Sequence, residues 1–139
     1  MDALMRETVS PRIFAFECRH KAHDSGRIIN SLSRGKALYQ YFLDVRDCWP
    51  EVKFTDLRVR KVGGPHTSEQ FAWNAKYRGM PDVRCGQRVK VGKACGTIVG
   101  HNSGANFDVL FDDGGQYAGL TLNCHPAGIE LLPPEQGNA

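Results

Sequence analysis

Three groups of side chains in this 139-residue chain have the types that chemistry needs. The first is Cys18-x-His20-x2-His23, a thiol and two imidazoles to which Cys48 or another cysteine would add a fourth zinc donor. Its spacing argues against metal, because structural zinc sites pair their ligands as C-x2-C and H-x3-5-H and neither pair occurs. The expectation is a core cysteine beside loop histidines, with no metal and no cofactor. The second group, Cys124-His125, sets a thiol next to a base. Neighbours in an extended segment point to opposite sides, so this imidazole does not reach that thiol to activate it. His125, directly before Pro126, is expected to satisfy backbone groups at a chain corner. The loops at Ser103-Gly104 and Gly114-Gly115 lack the strand, glycine loop and helix order of a phosphate cradle. No enzymatic activity is expected.

The third group is basic and suits binding. Arg58, Arg60 and Lys61, with Arg34 and Lys36, form one set, and Arg84, Arg88, Lys90 and Lys93 form another. Strand alternation sets Arg58 and Arg60 on one face, opposite Leu57 and Val59. Such a face grips phosphates or an acidic protein surface, or serves only as a solvated outer face that resists aggregation. Among the aromatics, Trp49 and Phe111 are expected in the core. Tyr117, in a polar glycine-rich loop, is expected to be exposed and to touch a partner.

Charge distribution sharpens this. Net charge is only +3. Residues 1–63 hold twelve Lys/Arg against eight Asp/Glu, residues 64–93 hold six against two, and residues 94–139 hold none against five. A basic front and an acidic back either orient a molecule on a charged partner or are no more than an uneven scatter of surface charge. The 41% apolar and 24% charged content is that of an ordinary globular protein, and no apolar run is long enough to cross a bilayer. The first residues carry both signs of charge and lack the apolar stretch of a signal peptide. Five irregularly spaced cysteines make an odd set, unlike a disulfide scaffold, and are read as reduced core thiols. A cytoplasmic protein with no membrane association is expected.

The elements that must position these groups follow from periodicity. Residues 1–11 read as a flexible lead. Residues 12–63 read as a small α+β unit of strand, helix and strand. The first strand covers Arg12–Cys18, and the polar stretch from Arg19 to Ile29 follows with a turn at Asp24-Ser25-Gly26. The helix runs from Arg34 to Cys48, with Leu38, Tyr41, Phe42, Val45, Cys48 and Trp49 on one stripe, Ser33 as N-cap and Pro50 as stop. The second strand covers Val52–Val62, with a phase slip between Phe54 and Leu57 that suggests a bulge. Residues 64–82 read as a bridge holding a helix over Ser68–Arg78. Thr67 and Gln70 are spaced as its capping box and Gly79 as its left-handed C-terminal residue. Phe71, Ala75, Trp73 and Tyr77 are expected to pack it on a sheet. Residues 83–133 carry short strands with glycine turns, the pattern of a small all-β barrel, and residues 134–139 read as a tail.

The run from Gly86 to Phe111 resembles a KOW motif, with Gly96 at the motif's characteristic glycine, needed where the chain turns sharply and a Cβ would clash. The turn Asn123-Cys124-His125-Pro126 before a last short strand is similar to the final corner of SH3-like barrels. The likeness covers about a third of the chain and implies a five-stranded SH3-like barrel touching nucleic acid or a protein of the transcription or translation machinery. In size and layout the whole chain resembles small bacteriophage and prophage proteins. The leading expectation is a phage-encoded binding module that contacts a host protein or nucleoprotein complex. The alternatives are direct nucleic-acid binding through the basic strands, and a structural or assembly role. Oligomeric state is not legible in the sequence.

Overall fold

The computed structural model describes residues 12–22 and 26–133. The lead at 1–11, the tail at 134–139 and the residues His23, Asp24 and Ser25 lie outside the described residues. The described residues are α+β, as expected, with two helices and two antiparallel sheets of three and five strands. It divides into two compact units, one spanning Ile13–His66 and the other containing the residues from Thr67 onward.

In the first unit, β1 (Phe14–His20) lies between β2 (Arg27–Ser31) and β3 (Leu57–Gly63). Both neighbours pair with it antiparallel, with Cys18 opposite Arg27 on one side and Glu17 opposite Arg60 on the other. The stretch expected as a polar connection therefore folds back as β2. Its Ile29 is buried and Ile28 exposed, and an adjacent apolar pair ending a polar run is a weak strand signal. Helix α1 (Arg34–Cys48) has the expected bounds, and the Ser33 hydroxyl accepts from the Lys36 N–H at 3.2 Å. It buries Ala37, Tyr41 and Val45 against Phe16, Cys18, Ile29, Leu57 and Val59. Cys48 and Trp49, expected on that stripe, are exposed. Trp49 leaves the helix at φ −131°, and its backbone N–H still bonds the Val45 carbonyl. The phase slip before Leu57 is a 3-10 turn over Phe54–Asp56 and not a strand bulge. The Asp56 carboxylate closes that turn on the Lys53 N–H at 2.9 Å. The register shift lies further along β3 instead, where Val62 is the extra residue opposite Ala15 and Phe16 of β1.

In the second unit, helix α2 (Glu69–Tyr77) starts at Ser68, whose hydroxyl accepts from the Phe71 N–H at 3.0 Å. Thr67, expected as the cap, accepts from the Cys85 N–H at 3.0 Å. Gly79 follows at φ +75°, as the C-terminal signal requires. The helix expected as a bridge thus belongs to this unit, where Phe71 and Ala75 join the core. Strands β4 (Arg88–Val91), β5 (Ala94–His101), β6 (Phe107–Phe111), β7 (Thr121–Cys124) and β8 (Glu130–Leu131) run in the order β7-β6-β5-β4-β8. A 3-10 turn over Pro126–Gly128 brings β8 back beside β4. The ladder is open, with β7 and β8 as its two edges. Val89, Ile98, Phe107, Val109 and Phe111 fill the concave side with Phe71 and Val83.

Gly96 sits within β5, opposite Val89 and Phe111, on that core side. A Cβ there would stand 2.7 Å from the Leu110 carbonyl oxygen and 2.7 Å from Val109 Cγ1. The reason for glycine is close approach inside a strand, and no positive φ is involved.

Candidate functional site

The three-stranded sheet has two unlike faces. One packs on α1, and the other carries Glu17 and Arg19 from β1 with Arg58 and Arg60 from β3. The alternation in β3 is complete over its first four residues: Leu57 and Val59 are buried while Arg58 and Arg60 are exposed. Register then decides which side chains meet. Arg60 stands opposite Glu17 and donates to its carboxylate at 2.8 Å, while Arg19 reaches the same carboxylate at 3.2 Å. These two guanidinium groups, Arg60 first, hold the Glu17 carboxyl below its usual value. Arg58 stands directly opposite Arg19, so two like charges face one another across the strand pair. Such opposition is unfavourable by itself and is relieved by an anion laid across it. Among the described residues the face carries Arg19, Arg58 and Arg60 with Glu17, an excess of positive charge.

The remaining residues of the basic set take other places. Arg34 lies at the edge of β3, where its Nε–H donates to the Val59 carbonyl at 3.1 Å. Lys36 is exposed on the first turn of α1, on the opposite side of the sheet from Arg58 and Arg60. The Lys61 ammonium sits 3.6 Å from the centroid of the Phe14 ring, a cation–π contact beside the register shift at Val62. Arg19 is the member that sequence reasoning missed. Its signal was present, since alternation along β1 sets Glu17 and Arg19 on one face, but only the register brings Arg19 to Arg58.

In the second basic set Arg88 is met by an acid of its own unit. Arg88 forms a two-pronged pair with Asp112, at 2.7 and 2.5 Å, and also donates to the Thr97 hydroxyl at 2.9 Å. Lys90 stands opposite Glu130 of β8. Arg84 and Lys93 are exposed. Tyr117, expected to project into solvent, is half-buried with its ring 5.2 Å from that of Phe111, and it packs on the core. A loop tyrosine beside Gly-Gly has the freedom to fold inward, which composition alone does not reveal.

At the other end of this sheet a polar network holds the β5–β6 loop. Arg78 donates through Nε to the Ala105 carbonyl at 3.1 Å, and through Nη2 to the Gly104 carbonyl and Asn106 Oδ1, each at 2.9 Å. Ala105 adopts a left-handed φ of +62°, and the Asn102 side chain accepts from the N–H groups of Gly104 and Asn106. Trp73 and Tyr77, expected to pack α2 on the sheet, instead face solvent at 62% and 68% exposure.

The groups considered for metal or nucleophilic chemistry are otherwise engaged. Cys18 is fully buried, its thiol donates weakly to the Phe16 carbonyl, and burial pushes its pKa up to about 11. His20 Nδ1 accepts from the Ala22 N–H at 3.0 Å, and His23 lies outside the described residues. Among the described residues no three His, Cys, Asp or Glu side chains converge on one point. Burial, then the Asp108 charge, raises the Cys124 thiol, the opposite of what a nucleophile needs. His125 Nδ1 accepts from the Ala127 N–H at 3.0 Å, which is the backbone role expected for it. All five cysteines are free thiols, and only Cys18 is fully buried. Among the described residues no helix is long and apolar enough to cross a membrane. No protein-family pattern, no curated protein and no solved structure matches this chain.

Proposed function

We propose that this protein is a non-enzymatic binding module that grips the phosphate backbone of nucleic acid, by itself or within a nucleoprotein complex, through Arg19, Arg58 and Arg60. The observation that carries the reading is the outer face of the three-stranded sheet, where Arg58 is set against Arg19 and Arg60 stands beside them, sharing the Glu17 carboxylate with Arg19. Guanidinium groups match phosphate oxygens with paired donors, and rigid strands hold them in place. Contacts of this kind position a protein on a backbone without reading its sequence. The Ile13–His66 unit also holds ten Lys/Arg against six Asp/Glu.

The strand order β7-β6-β5-β4-β8, with a 3-10 turn ahead of the last strand, supports reading the second unit as an SH3-like barrel of the KOW type. The acidic residues on and beside its strands, Asp108, Asp112, Asp113 and Glu130, then keep phosphates away from its sheet, so the arginine face of the first unit is the main phosphate contact. A second reading is favoured by Leu122 and Leu131, exposed apolar residues on the two edge strands, which suit a protein partner added to a sheet edge.

The test is fluorescence anisotropy with labelled oligonucleotides at low salt. The wild-type protein binds, and the Arg58→Ala/Arg60→Ala variant loses most of that binding while melting at the same temperature. Equal binding by the variant, or none by the wild type, defeats the reading.

A further inference from the structure

On α2 the residues facing the core are Phe71 and Ala75, and at 100° per residue Trp73 and Tyr77 fall on the opposite pole of the helix. Two large aromatics at the centre of a solvent face contribute little to folding. An i, i+4 side-chain contact stabilises an isolated helix only slightly. Yet the rings are well ordered against each other, 5.7 Å apart and within 6° of parallel. The Arg78 guanidinium carbon lies 5.8 Å from the Tyr77 ring centroid, and the same guanidinium is tied by three hydrogen bonds to residues 104–106. Trp73, Tyr77 and Arg78 therefore form a short ladder whose Arg78 end is anchored to the β5–β6 loop. Lys76, exposed beside them, adds a second cation.

From this arrangement we infer that the Trp73/Tyr77 pair is a stacking platform for an unpaired base of single-stranded nucleic acid. The platform offers a flat, preordered π surface whose flanking cations, Lys76 and Arg78, suit the adjoining phosphates. Bases stack on such surfaces whatever their identity, because each has a π face. A protein partner's apolar pocket fits less well, since the neighbours on this helix face are Glu69, Gln70 and Lys76. The inference rests on nucleic acid being the ligand, and it adds that unpaired strands are preferred to duplex.

The experiment measures binding of an oligothymidylate and of a DNA duplex of equal length. The full chain is used in a Trp49→Phe background, which leaves Trp73 as the sole tryptophan. The oligothymidylate quenches Trp73 fluorescence. Trp73→Ala weakens its binding by about 5- to 150-fold per lost stack, Trp73→Phe retains most of it, and duplex binding stays unchanged in both. Unchanged single-strand affinity in Trp73→Ala, with binding still sensitive to Arg58 and Arg60, overturns the platform and spares the arginine face. Quenching that persists in Arg58→Ala/Arg60→Ala with undiminished affinity overturns the arginine face and spares the platform. Binding to neither probe at low salt overturns both.

Discussion

Replacing Gly96 by alanine is the sharpest test of how the second unit is built. The added Cβ would stand 2.7 Å from the Leu110 carbonyl oxygen and 2.7 Å from Val109 Cγ1. One of these is backbone in the adjacent strand, so no side-chain rotation removes the overlap. Strands β5 and β6 must separate by several tenths of an ångström, at the centre of the sheet and next to fully buried Ile98 and Val109. Overpacking of this kind costs about 1–3 kcal/mol. For a unit of this size a melting point falls by about 4–8 °C per kcal/mol. Gly96→Ala is therefore expected to melt roughly 10 °C below wild type. Gly92→Ala is the matched control. Gly92 has φ +62° but nothing within 4 Å of a new Cβ, so its cost is conformational only, about 1 kcal/mol. Calorimetry or circular-dichroism melting of the three proteins decides the matter. A Gly96→Ala melting point within a degree of wild type, or a larger loss for Gly92→Ala, refutes the argument from close approach.

Two further expectations follow from the ionisable groups. Exposed Cys48 reacts first with an aromatic disulfide reagent at neutral pH, and buried Cys18 reacts only on unfolding, with residue order read by peptide mass spectrometry. Because the folded Cys18 pKa is raised from 9.0 to about 11, the unfolded chain loses its proton first as pH rises. Stability is full below pH 9.0 and declines toward pH 11, and the Cys18→Ala variant declines less steeply over that range. On the arginine face, the Glu17 carboxylate pairs with Arg19 and Arg60 and is held below its usual pKa. Its salt bridges are present above the ordinary carboxylate range and are lost as pH falls through the lowered value. Oligonucleotide affinity accordingly rises at acid pH in wild type, whereas Glu17→Gln binds a few-fold more tightly at neutral pH and shows no such rise.

Much of the fold was legible because it depends on local pattern. The bounds of α1 follow from Ser33, Pro50 and a 3.6-residue stripe, and the exposure of Arg58 and Arg60 follows from alternation with Leu57 and Val59. Reading failed where long-range pairing decides. Arg27–Ser31 is a strand because it lies against β1, and Arg19 joins the basic face only because the register sets it opposite Arg58. Arg88 looked like a phosphate ligand until the fold brought Asp112, 24 residues away, against it. The aromatics misled for a different reason. Treating Trp73 and Tyr77 as core ignored their helical phase relative to Phe71 and Ala75, which the sequence does carry. The same assumption moved Trp49 inward, although it lies beyond the end of α1 and is 39% exposed.

The arginine face is tested most directly by the salt dependence of oligonucleotide binding. The logarithm of the association constant should fall linearly with the logarithm of salt concentration. Removing Arg58 and Arg60 together should reduce that slope by about 1.4–1.8, the equivalent of two phosphate contacts. A slope that is flat in wild type, or unchanged in the double variant, contradicts the account.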